Sequence, residues 1–277
     1  MTDQVSETTS GTGRAGGTAP AAAHRPPVPA RRPLISAHQG GGEDARPASY
    51  AAFEQSVTTG AEYVEFDIRR TRDRALVVFH DERAGGQPVA GLRYEELCAA
   101  AGDRVPLVAD VLSLLAGRAR GHLDLKETGY EADVIALALA SFGDPSAFVA
   151  TTLEDGSVHA IKTTFPQVKA ALSLGRDLRE VAAHRWLGVR AGELAPLSRV
   201  RRCGADWVAV NYQLARLGVI RACHRAGVGV MVWTVDDNAH VDEFLGDGRV
   251  EVLITNRPQF AVGRRTVLAG RDLTSPG

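Results

Sequence analysis

Glu65 and Asp67 stand two apart in Tyr63-Val-Glu-Phe-Asp-Ile-Arg69, a run of β-forming residues. Alternate side chains of a strand share a face, so both carboxylates point one way while Val64, Phe66 and Ile68 point the other. Two like charges side by side are costly unless a cation lies between them. A metal ion meets that need, and so does a Lys or Arg in an ion-pair ladder; the pair alone leaves both open. His122-Leu-Asp-Leu-Lys126 repeats the pattern, with Asp124 and Lys126 on one face. Three converging carboxylates repel strongly, and a hard divalent cation, Mg²⁺ or Ca²⁺, turns them into an all-oxygen site. The competing reading of Asp124 is an ion pair with Lys126. His38 closes one β-like run and His80 closes another, Val77-Val-Phe-His-Asp81. Each is followed by a polar group, and together they form a candidate acid–base pair for chemistry near neutral pH.

Short β-patterned runs must position these groups. They fall at 34–38, 62–69, 75–80, 121–126, 147–152, 168–174, 206–211, 229–235 and 250–255. Helical patterns alternate with them at 48–58, 93–101, 108–116, 130–141, 155–163, 177–187, 214–226 and 238–245. Gly60, Gly117, Gly143, Gly227 and Gly246 punctuate helix ends, and Pro258 follows the last strand. Val230-Met-Val-Trp-Thr-Val235 is nearly all apolar, as a parallel strand buried on both faces should be. Repeated β-α alternation implies right-handed crossovers and a parallel sheet. About eight units favour a closed (β/α)₈ TIM-type barrel in a single domain over an open doubly wound sheet. The 75–80 run follows 62–69 too soon for a helical crossover, so it returns antiparallel or the turn is unusual.

Active-site residues of such a barrel lie at the C-terminal ends of its strands. The polar residues there are His38, Glu65, Asp67, His80, Asp124, Lys126, Asn211, Trp233, Asp236 and Asn256-Arg257. No dinucleotide fingerprint, P-loop or nucleophile elbow is present, and Gly40-Gly41-Gly42 lacks the further spaced glycine.

Residues 1–33 are rich in Thr, Ser, Gly, Ala and Pro and read as a disordered tail; 34–265 read as the barrel, and 266–277 as a short C-terminal tail. With 32 basic and 33 acidic residues the net charge is −1, which gives no case for nucleic acid or an anionic membrane. No run reaches the ~18 apolar residues of a spanning helix, so no membrane insertion is expected. Arg31-Arg32-Pro33-Leu34 is faintly similar to a twin-arginine signal, but the polar, Gly-rich residues 37–44 cannot be a signal core. Cys98, Cys203 and Cys223 are odd in number and far apart, as free thiols of a reduced compartment would be. A cytoplasmic location is expected.

Several motifs then occur in order. They are His38-Gln-Gly, Ala51-Ala-Phe53, Gly60-Ala-Glu-Tyr-Val-Glu-Phe-Asp67, Val77-Val-Phe-His-Asp81, Val105-Pro-Leu, His122-Leu-Asp-Leu-Lys126, Val232-Trp-Thr-Val-Asp236 and Leu253-Ile-Thr-Asn-Arg-Pro258. Over about residues 34–262 the chain resembles the glycerophosphodiester phosphodiesterase family. The resemblance implies a TIM-type barrel acting on a small phosphodiester, with a divalent metal on Glu65, Asp67 and Asp124. It makes His38 and His80 the acid–base pair, Lys126 a stabiliser of phosphate charge, and Trp233 part of the pocket wall.

Three positions depart from the family pattern. Gln39 stands where Arg usually contacts phosphate, which removes a charge-assisted, two-pronged contact. Arg46-Pro-Ala-Ser49 replaces a Pro-Glu-Asn-Thr stretch, leaving Arg46 and Glu43 as the charged residues able to compensate. Asp124 replaces the usual third Glu. That Asp, with the short interval after His80, is similar to sphingomyelinase-D-like phospholipases, which can release a cyclic phosphate. The departures keep alternatives open: a barrel acting on another phosphorylated metabolite, a cyclising phospholipase-D-like lyase, and a non-catalytic phosphate-ligand-binding protein.

Overall fold

The computed structural model describes residues 32–43 and 45–274. The tail expected at 1–33 therefore lies outside the described residues, apart from Arg32 and Pro33. Arg32 is tied down, its guanidinium donating to the carbonyls of Leu245 and Leu268.

Eleven strands occur among the described residues: β1 Leu34–Ala37, β2 Tyr63–Arg70, β3 Leu76–Val78, β4 Arg83–Ala84, β5 Gln87–Pro88, β6 Arg120–Leu125, β7 Phe148–Thr152, β8 Lys169–Leu174, β9 Trp207–Asn211, β10 Gly229–Trp233 and β11 Val252–Thr255. In the large sheet the order is β1-β11-β10-β9-β8-β7-β6-β2-β3, and β1 also pairs with β2. That last pairing closes eight parallel strands into a barrel. β3 is extra: it runs antiparallel to the end of β2, with Ile68 opposite Val78, as the short interval after β2 requires.

The α-helices are α1 Tyr50–Ser56, α2 Tyr94–Ala101, α3 Val108–Leu115, α4 Glu131–Phe142, α5 Asp155–Thr164, α6 Trp186–Leu194, α7 Leu197–Cys203, α8 Tyr212–Leu214, α9 Ile220–Arg225, α10 Asn238–Leu245 and α11 Pro258–Thr274. Three helical expectations need correction. The helix expected at 177–187 is two 3-10 turns followed by α6, because Asp177 accepts from the Arg179 amide and closes a tight turn first. Helix α7 escapes the periodicity because only Val200 and Cys203 of its seven residues are buried, too thin an apolar stripe to register. Helix α11 opens on Pro258, the proline expected only to end the last strand; at a first helical position its missing N–H costs nothing. The helix runs to Thr274, so the tail expected from residue 266 is helical to that point. Leu268 packs on the core, and Arg265 pairs with Glu62 at 2.7 Å.

Strand alternation sorts the side chains into two cores. Val64, Phe66 and Ile68 face the helices in the larger cluster, with Phe53 edge-on to Phe66 at 6.1 Å. Each such fully buried side chain contributes roughly 1.5–3 kcal/mol. Tyr63, Val149, Ala171, Ala209, Met231, Val252 and Ile254 form the second cluster. Tyr63 shares the inward face of β2 with Glu65 and Asp67, so this cluster fills the barrel beneath them. A satellite cluster of Val77, Ala84, Val89, Leu97 and Val105 packs the segment between β3 and α3. Cys98, Cys203 and Cys223 are free thiols.

Candidate active site

Parallel register assembles the carboxylates. Asp67 on β2 lies opposite Asp124 on β6, Glu65 opposite His122, and Asp124 in turn opposite Thr151 on β7. The ligand atoms of Glu65, Asp67 and Asp124 all fall within 4.8 Å of one another. Glu65 and Asp67 are almost fully buried. Burial first, then the charges of Asp67 and Asp124, push the Glu65 carboxyl well above the ordinary carboxylate range.

Lys126 sits against this cluster, its Nζ 2.8 Å from Asp67 Oδ1 and 2.6 Å from Asp124 Oδ2. Burial works against the ammonium, but Asp124, Asp67 and Glu65 outweigh it and raise its pKa. The same ammonium and the Thr151 hydroxyl hold Asp124 low in spite of burial. The ion pair that competed with a metal site is therefore present, and it balances only one charge. When all three carboxylates are ionised, one ammonium leaves −2, which fits one divalent cation on hard oxygen donors.

Gln39 approaches from the loop after β1. Its backbone N–H donates to Glu65 Oε2 and its side-chain amide to Asp67 Oδ2, both at 2.8 Å. The residue is held at φ 50° and ψ 36°, a left-handed conformation that non-glycine residues rarely adopt. Gly40 and Gly41 continue at φ 82° and 87°, and a Cβ on Gly40 would meet Ala52 and Phe53 at 3.1 Å. The glycine run is thus the turn that brings Gln39 onto the carboxylates, not a nucleotide loop. Arg46 does not replace the missing phosphate clamp; it pairs on the surface with Asp103 at 2.8 Å. Glu43 is exposed.

His38 Nδ1 lies 2.8 Å from Asn256 Oδ1, and its Nε2 lies 3.9 Å from Glu65 Oε2. Asp236 fixes the Asn256 amide: Oδ2 accepts from Nδ2 at 2.7 Å, and Oδ1 accepts from the backbone N–H at 2.8 Å. With the amide nitrogen spent on Asp236, its oxygen must accept from His38 Nδ1–H. In that tautomer Nε2 of His38 is left with its lone pair on the side of the carboxylate cluster. His80 is more exposed, with Nδ1 2.9 Å from Asp81 Oδ1. Its carbonyl accepts from both Nε and Nη2 of Arg69, which anchors the turn carrying it.

Sequence reasoning listed Asp236 and Asn256 on the rim without a role and missed His122, Ser36 and Thr151. Thr151 Oγ1 donates to Asp124 Oδ1 at 2.6 Å, so it accepts from His122 Nε2–H at 3.1 Å. Ser36 Oγ then donates to His122 Nδ1 at 3.0 Å. Burial pushes the His122 imidazole down to about 4, so it stays neutral and orients the metal-candidate carboxylate. The available signal was the period-2 row His122, Asp124, Lys126.

A cavity of about 200 Å³ opens above these groups, lined by His38, Glu65, Asp67, His80, Asp124, Lys126 and Trp233 among others. Trp233 can lean over it because the neighbouring loop carries Gly175. A Cβ there would lie 2.7 Å from Asn211 Cβ and 3.0 Å from Trp233 Cζ2. Of the rim residues read from the sequence, His38, Glu65, Asp67, His80, Asp124, Lys126 and Trp233 line this cavity, whereas Asn211, Asp236, Asn256 and Arg257 do not, and Gln39 touches it through the carboxylates. Such a site can hold a cation, neutralise an anionic ester and move protons on both sides of it.

Residues 38–260 match the model of the Glycerophosphoryl diester phosphodiesterase family. A Caldanaerobacter subterraneus protein named glycerophosphodiester phosphodiesterase is 24% identical over 254 residues, covering 83% of this chain and 96% of its own. Among solved structures, a glycerophosphodiester phosphodiesterase from Parabacteroides distasonis superposes with TM-score 0.69 at 20% identity, covering 87% of this chain and 98% of that one. An Oleispira antarctica phosphodiesterase, solved with the product sn-glycerol-3-phosphate, gives TM-score 0.64 at 15% identity, covering 84% and 96%. At these identities the two structures speak for the fold.

Proposed function

The chain belongs to the glycerophosphoryl diester phosphodiesterase family and is a phosphoric diester hydrolase, and we propose that its substrate is a glycerophosphodiester or a related small phosphodiester. In this reading Glu65, Asp67 and Asp124 hold a divalent metal, Mg²⁺ or Ca²⁺, and His38 and His80 are the acid–base pair. The observation that carries it is the convergence of three carboxyl groups on one point with a single ammonium, Lys126, against them. We also assign the enzyme to the cytoplasm, in line with its three free thiols. No described helix is long and apolar enough to cross a membrane.

A phosphodiester carries a negative charge that repels nucleophiles. When bound, the divalent cation supplies positive charge that polarises the phosphoryl group and stabilises charge developing on its oxygens. Lys126 Nζ, already beside Asp67 and Asp124, adds a second cation at the same rim. His38 offers its Nε2 lone pair to the attacking hydroxyl or water, since Nδ1–H is committed to Asn256. His80, oriented by Asp81, gives a proton to the leaving alkoxide, which would otherwise be a poor leaving group. Trp233 forms part of the pocket wall.

Phosphorus NMR of glycerophosphodiesters incubated with the protein and a divalent ion tests the reading. The diester signal should give way to that of a phosphomonoester, or of a cyclic phosphate if the substrate's own hydroxyl attacks. No consumption of any diester with Mg²⁺, Ca²⁺ or Mn²⁺, alongside intact metal binding, refutes it and favours a binding protein.

Gln39 supports a second expectation. An arginine there adds a positive charge and a two-pronged donor for the phosphate, a gain of about 1 kcal/mol or about fivefold in affinity. Gln39→Arg should therefore lower KM for simple glycerophosphodiesters about fivefold. An unchanged or higher KM would mean the pocket is built around another group.

A further inference from the structure

The catalytic cavity has a larger neighbour. Leu153 and Ser173 line both the 200 Å³ cavity and a second one of about 710 Å³, which lies between the loop after β7 and the segment after β8. Pockets that hold a whole small molecule run to roughly 300–1,000 Å³. The first cavity falls below that range and the second within it, so the catalytic pocket suits the reacting phosphate and the second cavity suits the rest of a substrate.

The second cavity is built, and its chemistry is selective. Glu193, only 1% exposed, accepts from the backbone N–H groups of Gly175 and Arg176 at 2.8 Å each and from Arg190, which locks the wall. Arg176 pairs with Glu154, and Arg199 donates to Asp155 Oδ1 at 3.0 Å. Among the described lining residues, every carboxylate is thus already committed to a guanidinium. Arg185 adds a further cation to the lining. No Phe, Tyr or Trp is among the lining residues, so nothing there can form the aromatic cage that binds a quaternary ammonium. The N–H groups these paired guanidiniums have left over, together with Arg185 and with no free carboxylate among the described lining residues, suit a hydroxyl-rich alcohol, uncharged or anionic.

We propose that this second cavity is the subsite for one alcohol of the diester and selects a polyhydroxylated group over a cationic amino alcohol. The proposal rests on the diesterase reading above. Glycerophosphoinositol, glycerophosphocholine and the methyl diester of glycerol phosphate, each with Mg²⁺ or Ca²⁺, test it. The inositol diester should exceed the choline diester at least tenfold in kcat/KM. Gly188 faces open space in this cavity on α6, so Gly188→Trp should plug it. The inositol-to-methyl ratio of kcat/KM should then fall at least tenfold, mainly through KM, and Arg176→Gln should lower it in the same direction. Cleavage of the methyl diester reports that each variant is folded. Equal rates on inositol and choline diesters, or a ratio unmoved by Gly188→Trp, overturn this proposal while leaving the diesterase reading intact. Failure to cleave all three diesters overturns both.

Discussion

Replacing His38 with alanine should lower kcat for glycerophosphodiester cleavage by about 10²–10⁴-fold, the usual worth of a positioned acid or base. His80→Ala should do the same. The physical reason is that attack and departure each need a proton moved at an atom that water alone serves badly. His38 offers one such atom, Nε2, because the Asp236–Asn256 pair has taken its other nitrogen. Neither ring is part of the hydrophobic clusters, so folding should survive both changes. Steady-state kinetics paired with melting curves check this. Near-normal turnover in either variant would remove that histidine from the mechanism.

The second large effect concerns Asp67. It is 1% exposed, touches Lys126 and Gln39 at 2.8 Å each, and stands opposite Asp124 in the barrel. Asp67→Asn removes one anionic donor from the three, which should weaken divalent-metal affinity by at least about 100-fold, more than the loss of an outer-shell partner costs. A ligand that binds only the folded chain stabilises it by about 2.7 kcal/mol at a hundred times its Kd. Melting curves of the native chain should therefore rise as metal is added, and those of Asp67→Asn should not rise at the same concentrations. An equal rise in both would place the ion elsewhere.

Much of this architecture is legible in the chain because parallel barrel strands are buried on both faces and read as short apolar runs. The acidic pair and the Asp124-Lys126 pair are legible for the opposite reason, as charges interrupting such runs at period 2. Helices α7 and α11 are not legible: one buries only Val200 and Cys203, and the other begins on a proline. The relays around the site are less legible still. His38 meets Asn256 across 218 positions, and Asp124 meets Thr151 across 27, so both contacts exist only once the strand order and register are known. Gln39 reads in sequence as a lost phosphate contact; only the left-handed turn at Gln39-Gly40-Gly41 shows it hydrogen-bonded to Glu65 and Asp67.

In the proposed mechanism Glu65, Asp67 and Asp124 hold a metal that diester cleavage requires. Turnover of a glycerophosphodiester by metal-stripped protein, followed as Mg²⁺ or Ca²⁺ is titrated back, tests it most directly. Turnover should be unmeasurable after chelation and should recover saturably with the returning ion, a recovery absent in Asp67→Asn. Full turnover by the stripped protein, or equal recovery in Asp67→Asn, would contradict it.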